Sequence, residues 1–408
     1  MPTITIVGAG QSGLQLAIGL LGNGYDVTVV SDRTPEQIAT GRVTSSQCMF
    51  GSSLAREAAL GLDFWTQSCP DVDGIGFAVP GPDRTPAFEW QARLDLPARS
   101  VDQRVKMPRF IDEFVSRGGN FVIESADIAA LERYSTTSDL IIVAAGKGEI
   151  AQMFTRDDER STFSAPARAL SLTYVTGMPA REPYSMVAFN LIPGVGEYFV
   201  FPALTVSGPC EIMVMEGIPG GPMDCWSDLS GPAEHLERAK WVVDTFVPWE
   251  SERTANIELT DPNGVLAGRF PPTVRHPVAT LPSGAPVLGM ADVVVLNDPL
   301  TGQGSNNASK CSSSYLASIL EHGDAPFDTS FMQSTFEKYW DYAKYPTAWT
   351  NALLSPPPEH VLALLGGAVD EPRIARRFAN GFDDPRDFFH WFMDPSLAAT
   401  EYLQPVAS

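Results

Sequence analysis

Six residues near the start of the chain, Gly8-Ala9-Gly10-Gln11-Ser12-Gly13, have the spacing GxGxxG. In this spacing the first glycine permits a tight turn, the second lets backbone approach a pyrophosphate, and the third lets a helix pack against a strand. The implied chemistry is anion binding by the unpaired N–H groups of a helix N-terminus. Asp32 follows about 20 residues on, where a carboxylate accepts hydrogen bonds from a ribose. A lone GxGxxG is weak, so the flanking elements decide. Ile4-Thr5-Ile6-Val7 is a β-rich run before it. Leu14, Ala17, Leu20 and Leu21 recur at helical spacing after it, Asn23-Gly24 stops that helix, and Tyr25–Val30 is a second strand. This predicts a dinucleotide-binding unit with Gly8, Gly10, Gln11, Ser12, Gly13 and Asp32 at the cofactor.

Two distant segments refine the cofactor. Asp139–Gly146 is an apolar strand ending in small residues. Val287–Asp292 is another strand, ending in an acid, and Asn297–Asn307 contains the pattern Pro-x-x-Gly-Gln-Gly-x-Asn before a helix predicted over 305–322, with Gly323 as its stop. A helix N-terminus presented by such a loop suits an anionic ring system. No second GxGxxG occurs, and no Asp-Gly follows Ala145-Gly146, so the chain is expected to lack its own NAD(P)H site. GxSxG, HExxH, GxxxxGK[ST] and zinc-spaced Cys/His sets are also absent from the sequence.

Composition narrows the partners. The 408 residues are 44% hydrophobic and 19% charged, which is globular, and the length suits two or three domains. The 28 basic and 49 acidic residues give a net charge of −21, unsuited to nucleic acid or anionic membrane. No apolar run approaches a membrane span, and Met1-Pro2-Thr3-Ile4 lacks a basic n-region, so a cytoplasmic location is expected. The five cysteines form no CxxC and read as free thiols; no metal site is expected. Histidine is missing from the first 234 residues, so chemistry there must do without imidazole.

The strand-Asp and Pro-x-x-Gly-Gln-Gly elements resemble the FAD-binding motifs of aromatic-ring flavoprotein monooxygenases. More closely, the chain resembles the FAD-dependent oxygenase component of two-component styrene and indole monooxygenases. The resemblance rests on Thr5–Gly10, Val27–Arg33, Pro97–Asp102, Asp298–Gly304 and Trp349-Thr350-Asn351. It implies FAD as cofactor, bound as FADH2 and supplied by a separate NADH-dependent flavin reductase, with O2 as co-substrate. A flavin C4a-peroxide would then epoxidise an electron-rich C=C bond, with no catalytic side chain required. By the same resemblance Asp292 holds the ribityl or pyrophosphate region, Pro299 lies beside the isoalloxazine, and Gly302, Gln303, Gly304 and Asn306 surround its pyrimidine edge. Arg33, Arg42, Arg104, Ala145 and Gly146 join as further cofactor residues.

Three alternating positions separate the family's styrene and indole branches. They fall here on Ser45, Gln47 and Met49, the indole pattern, with further indole-type positions at Val72, Ile75 and Ala98. Residues two apart on an extended segment share a face. Ser45, Gln47 and Met49 would thus offer two polar groups and a thioether to an indole. Expected partners are the reductase, a small aromatic substrate and a second copy in a homodimer. Styrene-type alkene or sulfide oxidation is the alternative activity, and a non-oxygenating FAD protein a second.

The expected fold is α/β: a Rossmann-like FAD domain (1–75, 98–165 and 277–325), an antiparallel β-sheet substrate domain (76–97 and 166–276) and a helical C-terminal region (326–408).

Overall fold

In the computed structural model, which describes residues 2–145 and 149–403, two sheets share the chain. Gly146 lies outside the described residues. The smaller sheet runs, edge to edge, Val278–Thr280, Pro286–Gly289, Leu140–Val143, Thr3–Val7, Asp26–Ser31 and Asn120–Ile123. All its pairings are parallel except the Val278–Thr280 edge. Its strands are short and apolar because helices cover them. Gln11–Gly22 is one such helix, and Ile4, Ile6, Leu14, Ala17 and Leu20 are sealed in that core.

The larger sheet has nine strands and carries the hairpin Asp71–Pro80/Pro86–Ser100, then Ala169–Thr176, Met186–Ile192, Gly196–Thr205 and Gly208–Gly217. Cys48–Met49 closes one edge by pairing with Arg99 and Ser100. Strand alternation gives the sheet two unlike faces. One holds an aromatic ladder across four strands: Trp90, Phe77, Phe189 and Phe199 stack with centroids 5.5, 5.6 and 5.5 Å apart. Such cross-strand ring pairs fix register as well as burying area. Phe378, from the helix Pro372–Gly381, meets Phe77 and Trp90 edge-on. The other face, with Met186, Tyr198, Val200, Met213 and Met215, lies under the helix Pro232–Phe246.

The expected mixed α/β architecture and helical C-terminus are present. Two expected boundaries are not where the sequence placed them. The strands Asp71–Pro80 and Pro86–Ser100 are each continuous, so cuts at 75/76 and 97/98 fall inside hydrogen-bonded strands. The long helix Thr329–Leu353 continues through Pro346, where a break would be expected from proline alone. No helix among the described residues is long and apolar enough to cross a membrane.

Candidate functional site

Parallel pairing sends Val7, Ser31, Val143 and Gly289 to one edge of the smaller sheet. Gly8–Gly13, Asp32, Ala145 and Asp292, which follow them, therefore share that edge, where ligands of open α/β sheets bind. The turn is tight for a visible reason. Gly8 has φ +124°, and a Cβ there would lie 2.8 Å from the Ala144 carbonyl carbon and the Ala145 nitrogen. A Cβ on Gly13 would lie 2.1 Å from the Gly8 carbonyl oxygen. A Cβ on Gly10, by contrast, would meet nothing within 4 Å. Asp32 is exposed and lies 3.5 Å from Arg33. Asp292 is exposed in the short turn Ala291–Val293.

The helix Gln303–His322 supplies a second N-terminus. Its cap is Gly302, at φ +63°, with no side-chain cap. Gly10 likewise caps Gln11–Gly22 without a side chain. The contacts Gln15–Ser309, Gly19–Leu316 and Tyr25–Ile319 ascend together, so the two helices pack in parallel. Both N-termini thus point to the same end of the molecule, with their first-turn N–H groups uncommitted to caps. Added Cβ atoms at Gly302 and Gly304 also meet nothing within 4 Å. Two glycine-opened helix ends facing one way fit a long anionic cofactor with phosphates at one end and an electron-accepting ring at the other.

The second N-terminus is held by remote parts of the chain. Asn306 accepts from the Phe50 N–H (2.9 Å) and donates to the carbonyls of Cys48 and Gly302 (2.9 Å each). Gln303 donates to the carbonyls of Thr301 and Phe382, and the Thr301 and Thr350 hydroxyls pair. Asp298 accepts from the Leu300 N–H at 3.1 Å, capping the turn Pro299–Thr301. Pro299 itself is half-buried.

Several expected cofactor side chains have other work. Arg104 is buried, and all five of its N–H donors are engaged: by Asp102, Asp261 (twice), Thr205 and the Gly41 carbonyl. It ties the helix Gln103–Ser116 to the larger sheet, which replaces the cofactor role inferred from resemblance. The Gln11 amide turns to Gln15 and Glu57 (3.0 and 2.7 Å), so Gln11 meets an anion only through its backbone. Ser12 is buried in the same first turn. The Asn306 side chain positions the loop. Arg42 is exposed on the segment before Ser45.

The expected common face of Ser45, Gln47 and Met49 does not form. Gln47 has φ +36°, which interrupts the extended alternation. Ser45 donates to Gln47 Oε1, Gln47 donates to the Tyr174 hydroxyl, and that hydroxyl donates to the Ser45 carbonyl. Gln103 closes on Ser45 at 3.0 Å. Burial pushes the Tyr174 hydroxyl pKa well up, keeping it a neutral donor. Met49 instead takes the Lys106 ammonium on its sulfur at 2.9 Å, and Lys106 pairs with buried Glu57. Val72, Ile75 and Ala98 do come together: Val72 and Ala98 face each other across the hairpin, and all three join the apolar cluster of the aromatic ladder.

That cluster contains a narrow cavity. Ile75, Phe77, Phe189, Phe378 and Phe392 line it, and Leu300 and Thr301 of the glycine loop form one wall. Sequence reasoning missed the C-terminal contribution, because Phe378 and Phe392 carry no motif. It also missed Glu197 and Glu216, although each is an acid next to a run of large apolar residues in its strand.

A family model for the substrate-binding domain of styrene monooxygenase A matches residues 146–253. Styrene monooxygenase StyA of Pseudomonas sp is 29% identical over 402 residues, 96% of this chain and 95% of that protein. The protein of the same name from Pseudomonas fluorescens matches equally, at 29% over the same coverage. Among solved structures, the flavin-dependent brominase Bmp2 superposes with a TM-score of 0.62 at 14% identity, covering 99% of this chain and 100% of its own. 2-Methyl-3-hydroxypyridine-5-carboxylic acid oxygenase gives 0.59 at 16%, covering 92% and 93%. A flavoprotein/dehydrogenase from Cytophaga hutchinsonii gives 0.69 at 11%, covering 98% and 99%. At these identities the structures speak to the fold alone.

Proposed function

We propose that the chain is a member of the styrene and indole monooxygenase family of flavoproteins, the FAD-dependent oxygenase of a two-component system, and that it epoxidises the C2=C3 bond of indole. The observation that carries this reading is the aromatic cavity walled by Leu300 and Thr301. Its aromatic walls meet the loop that the family places beside the flavin ring, and with a volume of about 40 Å³ those walls would have to part to admit a flat apolar molecule. FAD, when bound, would supply the dioxygen chemistry. The chain's residues would do the rest. Backbone at Gly8–Gly13 and Gly302–Gly304 would hold the anionic parts, Asp32 the ribose and Asp292 the ribityl chain. The ladder would orient the substrate and exclude water, limiting loss of the activated oxygen. Reduced flavin would come from a separate NADH-dependent reductase. The indole branch is favoured by Ser45, Gln47, Met49, Val72, Ile75 and Ala98, although Ser45 and Gln47 reach substrate only if their ring with Tyr174 shares an acceptor, and Met49 only if its sulfur gives up Lys106.

The test combines the protein with FAD, NADH, a generic flavin reductase and indole. Blue pigment should require every component; pigment formed without the reductase would sink the two-component reading. A styrene-type epoxidase is the second reading, because both curated relatives carry that substrate in their names. Competition between indole and styrene separates the two. Changing Ser45→Asn, Gln47→Val and Met49→His together should shift preference toward styrene, and an unchanged ratio removes those residues from the specificity argument.

A further inference from the structure

Directly behind the glycine loop lies a cluster of three buried carboxyl groups with one cation. Glu197 is paired with Arg168 through both oxygens, at 2.7 and 2.8 Å. Two further Arg168 donors, both on Nη1, go to the carbonyls of Ala167 and Leu354. That leaves Glu216, which is fully buried, and Asp298, which is 1% exposed. Neither Glu216 oxygen, nor the Asp298 oxygen that does not cap the turn, has a conventional donor among the described residues. Glu216 stands directly opposite Glu197 in the strand register, and Asp298 is near enough to raise its pKa. Two ionised carboxylates cannot share such a site without large cost, whereas one proton between them turns the contact into a short, charge-assisted hydrogen bond.

We infer that Glu216 and Asp298 hold a single proton, residing on Glu216, and that this proton positions the Pro299–Gly304 loop for flavin. Asp298 is the ionised partner because it also accepts the Leu300 N–H. Glu216 has no such donor. Its pKa stands well above the ordinary carboxylate value, through burial first and the nearby Asp298 second. The charges facing it are Asp298 from the loop, Glu197 from the neighbouring strand and Arg168 from the segment leading into the next strand. With the proton in place, three carboxyls and one guanidinium leave one net negative charge; without it they leave two. The second charge would sit behind a loop whose N–H groups attract an anionic ring, and would oppose the helix N-terminal field. Glu216 is thus a positioning residue, acting through Asp298 on the loop.

The sign follows from linkage. A carboxyl whose folded pKa is raised stabilises the protonated fold relative to its ionised form. That advantage is complete below the ordinary carboxylate pKa and is lost as pH rises through the folded value.

The inference rests on the reading that the loop meets flavin, so the experiment separates the two. Full-length protein is titrated with FAD by fluorescence across pH 6 to about 10, and difference infrared spectra of the flavin-free protein are recorded over the same range. Wild type should show a protonated-carboxyl band that persists at neutral pH and disappears on raising it, together with FAD affinity that falls about tenfold or more. Glu216→Gln, which keeps a donor but cannot ionise, should lose the band and bind FAD with nearly pH-independent affinity. Glu216→Ala should bind weakly at every pH. Absence of the band in wild type overturns the shared proton. A band that vanishes in Glu216→Gln while both proteins show the same affinity profile overturns the positioning role. Failure of wild type to bind FAD at any pH would instead defeat the underlying flavin reading, and the infrared result would then decide the proton alone.

Discussion

The two helix N-termini that open on glycine solve one electrostatic problem in two ways. Around Gly10 the solution is local: strand, turn and helix lie within about twenty residues, and the critical contacts are backbone to backbone. Around Gly302 the turn is held by side chains reaching from far away in sequence: Cys48 and Phe50 through Asn306, Thr350 through Thr301, Phe382 through Gln303, and Glu216 through Asp298. The first end suits a constant, strongly anionic group. The second is tied to the larger sheet and the C-terminal helices, which also line the aromatic cavity. Under the proposed function, a self-contained end would serve binding, and an end tied to the cavity walls would serve chemistry.

The comparison can be broken most forcefully at Gly13. Gly13→Ala places a methyl group 2.1 Å from a carbonyl oxygen that cannot move without dismantling the turn. The cost should exceed the ~1–3 kcal/mol usual for overpacking. Flavin binding by fluorescence titration should be lost, and the thermal midpoint should fall. A protein that keeps both would show that the first end is not rigidly built.

Arg104 tests where the first region stops. Arg104→Met leaves Asp102 and Asp261 without their cation, and a broken buried pair costs about 3–5 kcal/mol. Chemical denaturation should register that loss while FAD affinity of the folded protein stays within about twofold, since no guanidinium donor is free. The opposite pattern, intact stability with weakened FAD binding, would restore Arg104 to the cofactor.

At the second end Asn306→Leu is close in shape but orphans the Phe50 N–H and the Cys48 and Gly302 carbonyls. Each buried unsatisfied group costs about 1–3 kcal/mol, so a total of about 3 kcal/mol or more is expected. Because the clamp joins loop to sheet, turnover should fall further than FAD affinity. Equal falls would mean that the loop is positioned independently of the sheet.

The same contrast explains what could be read from the sequence. Gly8–Gly13, the strands at either side and the helix start near Gln303 were legible because their physics is local: period, turn chemistry and glycine spacing. The larger sheet was legible as alternation over Ser185–Leu191 and Glu211–Glu216, within or beside the strands Met186–Ile192 and Gly208–Gly217. The face through Ser45, Gln47 and Met49 was misread because a left-handed residue at Gln47 cannot be inferred from a non-glycine sequence. Arg104 was misread because its partners, Asp261 and Thr205, are brought near only by the sheet. The carboxyl cluster was invisible for the same reason: Arg168, Glu197, Glu216 and Asp298 come from four separated segments.

The smallest effect on the fold carries a clean distinction. Gly10→Ala and Gly304→Ala each add a methyl group with nothing within 4 Å of it, and Gly10 has φ −93°, which alanine adopts freely. Neither should shift unfolding by more than about 0.5 kcal/mol, apart from the gain of up to about 1 kcal/mol from alanine in the helix at 304. If both surfaces are approached by one flavin, both substitutions should weaken its binding, because the methyl group displaces a ligand that contacts backbone. The profiles should then differ in kind. Gly10→Ala, at the phosphate end, should lower affinity for oxidised and reduced FAD alike. Gly304→Ala, at the end facing the ring, should act more strongly on the reduced anion, whose added charge the helix N-terminus attracts. Titration of each variant with both redox forms, the reduced form under anaerobic conditions, measures this directly. Equal losses for the two forms at Gly304 would mean that the second N-terminus supports the fold and does not distinguish the charge on the ring.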